Sequence, residues 1–277
     1  MTVINLNVGS RPFFRWAGGK QQLVSLLLKH FPSDYRSRTY HEPFLGAGSV
    51  FLAASPIGAY LSDLNSHVVN AFQSVKLEPV GVYSCIKTHQ KNHSVSYFYR
   101  TRRIFNESMN EKSVEQAGRF IYLTQASFNG IFRVNKDGMY NVPYGKDSPH
   151  LPSLLQLLLV SRNLMNATIL LSDFAQCLDR ARSGDLLYLD PPYPPLNGTS
   201  YFQHYTVNRF SGLQQSNLAA IARDLSKMGC LVLISNADTP EIRNLYKGWR
   251  INRVAMPRNV SCKANRAIVS ELIIRNY

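Results

Sequence analysis

The chain has 277 residues, of which 45% are hydrophobic, so it can bury a sizeable core without disulfide or metal staples. Its 31 Lys+Arg against 17 Asp+Glu give a formal charge of +14, yet charged residues are only 17% of the total, so the imbalance is a shortage of acids rather than a basic tail. Such a surface suits a polyanion, nucleic acid above all, while four cysteines without a CxxC pair exclude a disulfide framework, and the lack of a leader pattern or membrane-length apolar run points to a soluble cytoplasmic protein.

Thr39 to Phe44 reads as a strand, followed by Gly46-Ala47-Gly48 and the helical run Ser49 to Ala54. A second strand, Ala59 to Ser62, ends at Asp63 and leads into a helix from about Asn65 to Lys76, which Asn65 can cap. Between 77 and 159 this rhythm stops. That stretch holds the basic aromatic run Tyr97 to Arg103 and a helix-like run from Val114 to Phe128. His89 and His93 share a helical spacing there, but no third ligand type follows, so no metal is expected. Asp137-Gly138, flanked by Ile131 to Asn135 and Met139 to Val142, is a hairpin signal. Alternation then resumes with Ala167 to Leu171 before Ser172-Asp173-Phe174, and with the apolar run Asp185 to Leu189. Leu218, Ile221, Ala222, Leu225 and Met228 recur at helical spacing, and Cys230 to Ile234 reads as a buried strand ending in Ser235-Asn236. The pattern predicts an α/β protein with a mostly parallel sheet covered on both faces. Residues 1–76 and 160–277 form its core; 77–159 are a helical and hairpin insertion.

The run Asp185 to Leu189 ends in Asp190-Pro191-Pro192-Tyr193. Prolines lack a ladder donor and fix φ, so the chain leaves the sheet there and delivers a carboxylate and an aromatic ring to the carboxyl edge, where ligands of open α/β sheets bind. A strand end with a capping Asp and a packed Tyr is the plainer reading of the same residues. Gly46 and Gly48 allow a close approach to the backbone, and Asp63 either accepts from ribose hydroxyls or caps the following helix.

Taken together, five segments in order resemble the Dam-type DNA adenine-N6 methyltransferases: Phe13-Phe14-Arg15-Trp16-Ala17-Gly18-Gly19-Lys20, Glu42 to Ser49, Ser62-Asp63-Leu64-Asn65, Phe128-Asn129-Gly130 through Asn141-Val142-Pro143-Tyr144-Gly145, and Asp190 to Tyr193. The resemblance implies a Rossmann-like S-adenosylmethionine-dependent methyltransferase sheet with an inserted helical and β-hairpin target-recognition domain. It implies S-adenosyl-L-methionine as cofactor, bound by Trp16, Lys20, Phe44, Gly46, Gly48, Asp63, Asp173, Phe174 and Asp190, with Lys20 near the methionine carboxylate and Phe174 stacked on the adenine. The glycine turn lacks the third glycine of the dinucleotide fingerprint, a departure that favours this cofactor over NAD. Asp190, Pro191, Pro192 and Tyr193 are then catalytic. Arg15, Phe128, Asn129, Ile131, Arg133 and Pro143 would contact double-stranded DNA, with GATC the expected site, Arg133 on a guanine, Phe128 or Ile131 as a wedge and Pro143 against a thymine methyl. Arg100, Arg102, Arg103, Lys247, Arg250, Arg253, Arg258, Lys263 and Arg266 are candidates for phosphate contacts. The resemblance calls for no membrane and no obligate protein partner, and in a bacterium it implies association with the nucleoid. The alternatives are methylation of RNA adenine or of a protein amide by the same geometry, and a DNA-binding relative without activity.

Overall fold

Seven strands form one sheet in the order β3-β2-β1-β4-β5-β7-β6 in the computed structural model, which describes residues 10–145, 147–194, 210–257 and 268–277. The strands are β1 (Thr39–Glu42), β2 (Gly58–Asp63), β3 (Ala167–Leu171), β4 (Leu186–Leu189), β5 (Leu231–Ala237), β6 (Arg250–Pro257) and β7 (Ile268–Arg275). The first five are parallel, and β7 runs antiparallel between β5 and β6. Helices α1 (Val24–Lys29), α2 (Ser49–Ala54) and α3 (Ser66–Leu77) attend the first strands; α4 (Pro79–Lys91), α5 (Val95–Glu107), α6 (Val114–Ala126) and α7 (Leu154–Leu164) fill the connection from β2 to β3; α8 (Cys177–Arg180), α9 (Gly212–Lys227) and α10 (Pro240–Leu245) complete the chain.

Every residue of β4 is buried, as a central strand covered on both faces requires. The two-residue period of the strand divides its side chains between two apolar clusters. Leu186 and Tyr188 join Tyr40, Leu61 and Phe72 on one face; Leu187 and Leu189 join Val232, Ile234, Leu218, Ala222 and Ile242 on the other. Helix starts follow the sequence chemistry. The Asn65 side chain accepts from the amides of His67 and Val68 at the head of α3, Pro79 opens α4, and Ser211 with Gln214 forms a capping box on α9.

The segment between β2 and β3 is not cored separately. Val82, Ile86, Phe98, Phe105, Phe120 and Tyr122 belong to the same cluster as the sheet residues Tyr40 and Leu61, and residue 160 lies inside α7. Helix α6 ends at Ala126 rather than Phe128: Ser127 turns extended and Phe128–Gly130 form a tight 3-10 turn. The expected hairpin is present as a reverse turn of irregular strands. It has one bridge at Val134–Tyr140, a bond from Asn135 N–H to the Met139 carbonyl at 2.9 Å, Gly138 at φ 78°, and a second bridge at Ser127–Tyr144. The sheet is mostly parallel, as expected, and the antiparallel pair β6 and β7 had no counterpart in the sequence reading.

Among the described residues no three metal-ligating side chains come together; His89 Nδ1 instead lies 2.9 Å from the Tyr97 hydroxyl, and His93 Nδ1 lies 2.8 Å from that of Tyr122. Cys85, Cys177 and Cys230 are free thiols, and Cys262 lies outside the described residues. No helix among the described residues is long and apolar enough to cross a membrane.

Candidate active site

Strand order reverses between β1 and β4, since β1 connects towards β2 on one side while β4 continues towards β5 on the other. In open α/β sheets the loops after two such strands diverge, and the carboxyl ends of β1 and β4 are where a ligand crevice is expected. Both halves of the proposed chemistry hang from that edge.

On the β1 side the chain turns through Gly46 (φ 49°) and Gly48 (φ 65°) into α2. The close approach these glycines permit is by side chains. A Cβ on Gly46 would stand 2.9 Å from Trp16 Cδ1, and one on Gly48 would stand 2.9 Å from Phe72 Cζ, so Gly48 serves packing on α3 while Gly46 seats the indole. Asp63, at the end of β2, accepts from the Gly46 amide at 2.9 Å and from the Asn65 amide at 2.8 Å. The cap of α3 is Asn65, so the alternative role of Asp63 as that helix's cap does not apply. Burial raises the Asp63 carboxyl above its ordinary pKa, against those amide bonds. Ser49 Oγ, in the first turn of α2, is buried with no hydrogen-bond partner among the described residues.

Phe44 and Phe174 stack at 5.2 Å, and Phe210 packs against both. Phe174 is only 4% exposed, so a direct stacking role on a ligand would require one of these neighbours to turn aside. Asp173 accepts from the Ala175 amide at 2.9 Å and caps the short turn that carries Phe174.

On the β4 side the catalytic-loop candidates converge with Lys20. Lys20 Nζ lies 3.0 Å from Asp190 Oδ1, donates to the Gly18 carbonyl at 3.1 Å and stands 4.4 Å above the centre of the Tyr193 ring. Ser235 Oγ donates to the same Asp190 Oδ1 at 2.7 Å, and the Tyr188 hydroxyl lies 2.8 Å from Ser235. The rest of the loop is fastened too. Gln215 Nε2 donates to the Pro192 carbonyl at 3.0 Å and is itself held by Asn236, while the Tyr193 hydroxyl donates to Glu271 Oε2 at 2.8 Å. No hydrogen bond to the Pro191 carbonyl forms among the described residues. Beneath the loop, Glu42 accepts from the Tyr40 hydroxyl at 2.7 Å and the Phe51 amide at 3.1 Å.

The structure thus brings Trp16, Gly46 and Asp63 together, and Lys20 together with Asp190 and Tyr193. Sequence reasoning missed Tyr188, Gln215, Ser235, Asn236 and Glu271. Ser235 had a signal in the end of the apolar run Cys230 to Ile234: Leu189 pairs with Ile234, so Asp190, just beyond β4, stands beside Ser235 of β5. Glu271 had none, because its strand was not read.

A second cluster faces outward. Arg15, Phe128, Asn129, Arg133 and Pro143 are exposed and Ile131 is half-buried. Asn129 (φ 55°) and Gly130 (φ 63°) are both left-handed, and a Cβ on Gly130 would collide with the Arg15 side chain, so Arg15 lies across the turn. Arg133 Nε donates to Asn141 Oδ1 at 2.9 Å. Helix α5 fastens this loop through Arg102 to the Val142 carbonyl at 3.0 Å and through two bonds between Asn106 and Tyr140. Trp16 stacks on Phe132 at 5.6 Å, so the same loop rests on the wall of the crevice. Of the basic residues proposed for phosphates, Arg253 is committed to Asp238 at 2.8 Å and Arg102 to the loop; Arg258, Lys263 and Arg266 lie outside the described residues.

The crevice suits S-adenosyl-L-methionine chemically: a carboxylate for a ribose diol, a buried cation for the methionine carboxylate, aromatic walls, and the buried hydroxyl of Ser49 still wanting a partner.

A family model described as D12 class N6 adenine-specific DNA methyltransferase matches residues 16–260. The chain is 33% identical over 276 residues to the Type II methyltransferase M1.LlaDCHI of Lactococcus lactis subsp. cremoris, covering 98% of this chain and 96% of that protein. It is 35% identical to a DNA adenine methylase of Vibrio cholerae, covering 95% of each. It is 32% identical to the Type II methyltransferase M.MjaIII of Methanocaldococcus jannaschii, covering 96% of this chain and 99% of that one.

Proposed function

The chain belongs to the D12 class of N6 adenine-specific DNA methyltransferases, and from that membership we propose that it extrudes an adenine from duplex DNA and presents the amino group to Asp190 and Pro191. Its reaction is methylation of adenine N6 in DNA, and S-adenosyl-L-methionine supplies the electrophilic sulfonium methyl.

The adenine amino group is a weak nucleophile because its lone pair is delocalised into the ring. Two acceptors on its hydrogens pull that density back onto nitrogen. The observation that carries the reading is that both Lys20 and Ser235 engage Asp190 through Oδ1. That leaves Oδ2 to accept one N6 hydrogen while the Pro191 carbonyl accepts the other. Fixing the amino group in line with the methyl contributes about 7–11 kcal/mol of barrier lowering in well-oriented systems, so positioning is the larger part of the task. The proton leaves nitrogen after transfer, when the amine has become cationic.

A stacked base cannot reach this loop. Extrusion costs a few kcal/mol, offset by a stacking face and edge hydrogen bonds in the pocket. Tyr193 supplies the face; Trp16, Lys20, Phe44, Gly46, Asp63, Asp173 and Phe174 form the cofactor side. Residues 77–159 act as the target-recognition unit. In it Arg133, with Nε committed to Asn141, keeps its two terminal nitrogens for the O6 and N7 acceptors of a guanine. Arg15 and Asn129 approach the same groove, Phe128 or Ile131 wedges beside the vacated position, and Pro143 meets a thymine methyl, which together favour GATC. The protein works in the cytoplasm, at the nucleoid in a bacterium, and needs no protein partner.

Transfer of labelled methyl groups to plasmid lacking adenine methylation tests this reading, with the modified positions then sequenced. Asp190→Ala should lower the rate at least about a hundredfold, the scale of losing one preorganised group at a reacting centre. An Asp190→Ala protein of normal rate would refute the assignment, and methylation at another motif would refute GATC alone.

A further inference from the structure

The catalytic loop is tied to a strand that lies outside the parallel part of the sheet. The Tyr193 hydroxyl donates to Glu271 Oε2 at 2.8 Å, and Glu271 stands in β7 opposite Ala237 of β5, at the edge where Ser235 of the same strand holds Asp190. A stacking platform needs only a ring, which phenylalanine would supply. A hydroxyl buried against a carboxylate is an additional feature, and it removes the ring's freedom to swing about its Cα–Cβ bond. The ring's face is set at the same time by the Lys20 ammonium, 4.4 Å from its centre.

We propose that Glu271 is a positioning residue for methyl transfer, holding the Tyr193 ring in the plane on which the extruded adenine stacks. The proposal rests on the reading of Tyr193 as that stacking face. Burial raises the Glu271 carboxyl above its ordinary pKa, the Lys20 charge and the Tyr193 hydroxyl oppose that rise, and the Asp190 charge adds to it. In this role Glu271 acts through the Tyr193 hydroxyl and not on either reactant. Through it, the antiparallel hairpin of β6 and β7 takes part in ordering the reaction centre.

The test is a double-mutant cycle on Tyr193→Phe and Glu271→Ala, with steady-state methylation of a duplex oligonucleotide as the assay. Each single change should lower kcat/KM for DNA roughly tenfold, within the range a base-stacking contact is worth, and the double variant should be no slower than the slower single. Glu271→Gln keeps an acceptor oxygen and should recover most of the rate. Tyr193→Phe removes one hydroxyl and leaves the strand untouched, so it reports even if Glu271→Ala fails to fold; its KM for S-adenosylmethionine should stay within about twofold of wild type. Wild-type rate in Tyr193→Phe, or losses that multiply in the double variant, would overturn the positioning role while leaving the methyltransferase reading intact. A Tyr193→Ala protein as active as Tyr193→Phe would show instead that Tyr193 is not the stacking face, which defeats that assignment and the positioning role together.

Discussion

Glu42 should make the folded protein less stable as pH rises through neutrality. It is 2% exposed at the end of β1, and burial lifts its pKa from 4.5 to about 8, with the Tyr40 and Phe51 donors opposing the rise and the Asp190 charge adding to it. Between those two values the folded chain binds the proton and the unfolded chain does not. The contribution is therefore complete below about pH 4.5, declines with rising pH and is gone above about pH 8. Each pH unit inside the window is worth about 1.4 kcal/mol, so from pH 6.5 to 8 the loss is about 2 kcal/mol. His67 and His89, lowered by burial to about 4, are protonated in the unfolded chain below its ordinary value of 6.5 and so act on the acid side of this interval. Cys177 and Cys230, raised by burial to about 12 and about 11, act above it. Glu42→Gln keeps the shape and an acceptor oxygen but cannot ionise. Urea unfolding of both proteins at constant ionic strength should give curves whose difference shifts by about 2 kcal/mol in favour of the variant between pH 6.5 and 8. Stability profiles that stay parallel across that interval would refute the reasoning.

Ser235→Ala deletes the donor at 2.7 Å from Asp190 Oδ1 and should reduce kcat about ten- to a hundredfold, since hydrogen bonds to charged groups are worth about 1.5–3 kcal/mol; an unchanged single-turnover rate would count against the Oδ1 anchor. Gly46→Ala places a Cβ 2.9 Å from Trp16 at φ 49° and costs about 1–2 kcal/mol in backbone strain alone, so calorimetric titration should show weaker S-adenosylmethionine binding, and undiminished affinity would contradict the seating of Trp16. Arg133→Ala should cost about 1–3 kcal/mol at one guanine and relax discrimination there; equal loss on every singly substituted duplex would mean that Arg133 holds phosphate instead.

Strands β4 and β5 were legible because buried parallel strands carry unbroken apolar runs, as Leu186–Leu189 does before Asp190, while β1 and β2, which mix polar residues, were marked by the glycine turn and the acidic strand end that follow them. The last two strands were not. The described part of β6 lies at the sheet edge with Arg250, Asn252 and Arg253 exposed, so its sequence resembles a solvated loop. In β7 the polar pair Ser270-Glu271 interrupts the apolar run. Glu271 is there to meet Tyr193, so the residue that disguises the strand is the one that connects it to the site. The target loop shows a related limit: Asp137-Gly138 marked the turn correctly, but the loop's shape depends on Asn106 and Arg102 of α5, distant contacts that a local turn signal does not contain.

The same distinction holds within the site. The positions of the candidate groups were readable from spacing and type, since Asp63 stands at the end of β2 and Asp190 directly beyond β4, before two prolines. What makes each one usable is supplied from far along the chain. Lys20, from the amino-terminal segment, and Ser235, from β5, both take one oxygen of Asp190, and the acceptor role proposed above falls to the other. Trp16 reaches both the glycine turn and Phe132, so the cofactor wall and the DNA-reading loop proposed above share one indole. Phe14 and Phe120 also pack on that indole, so its position is set jointly by the amino-terminal segment, α6 and the loop that carries Phe132.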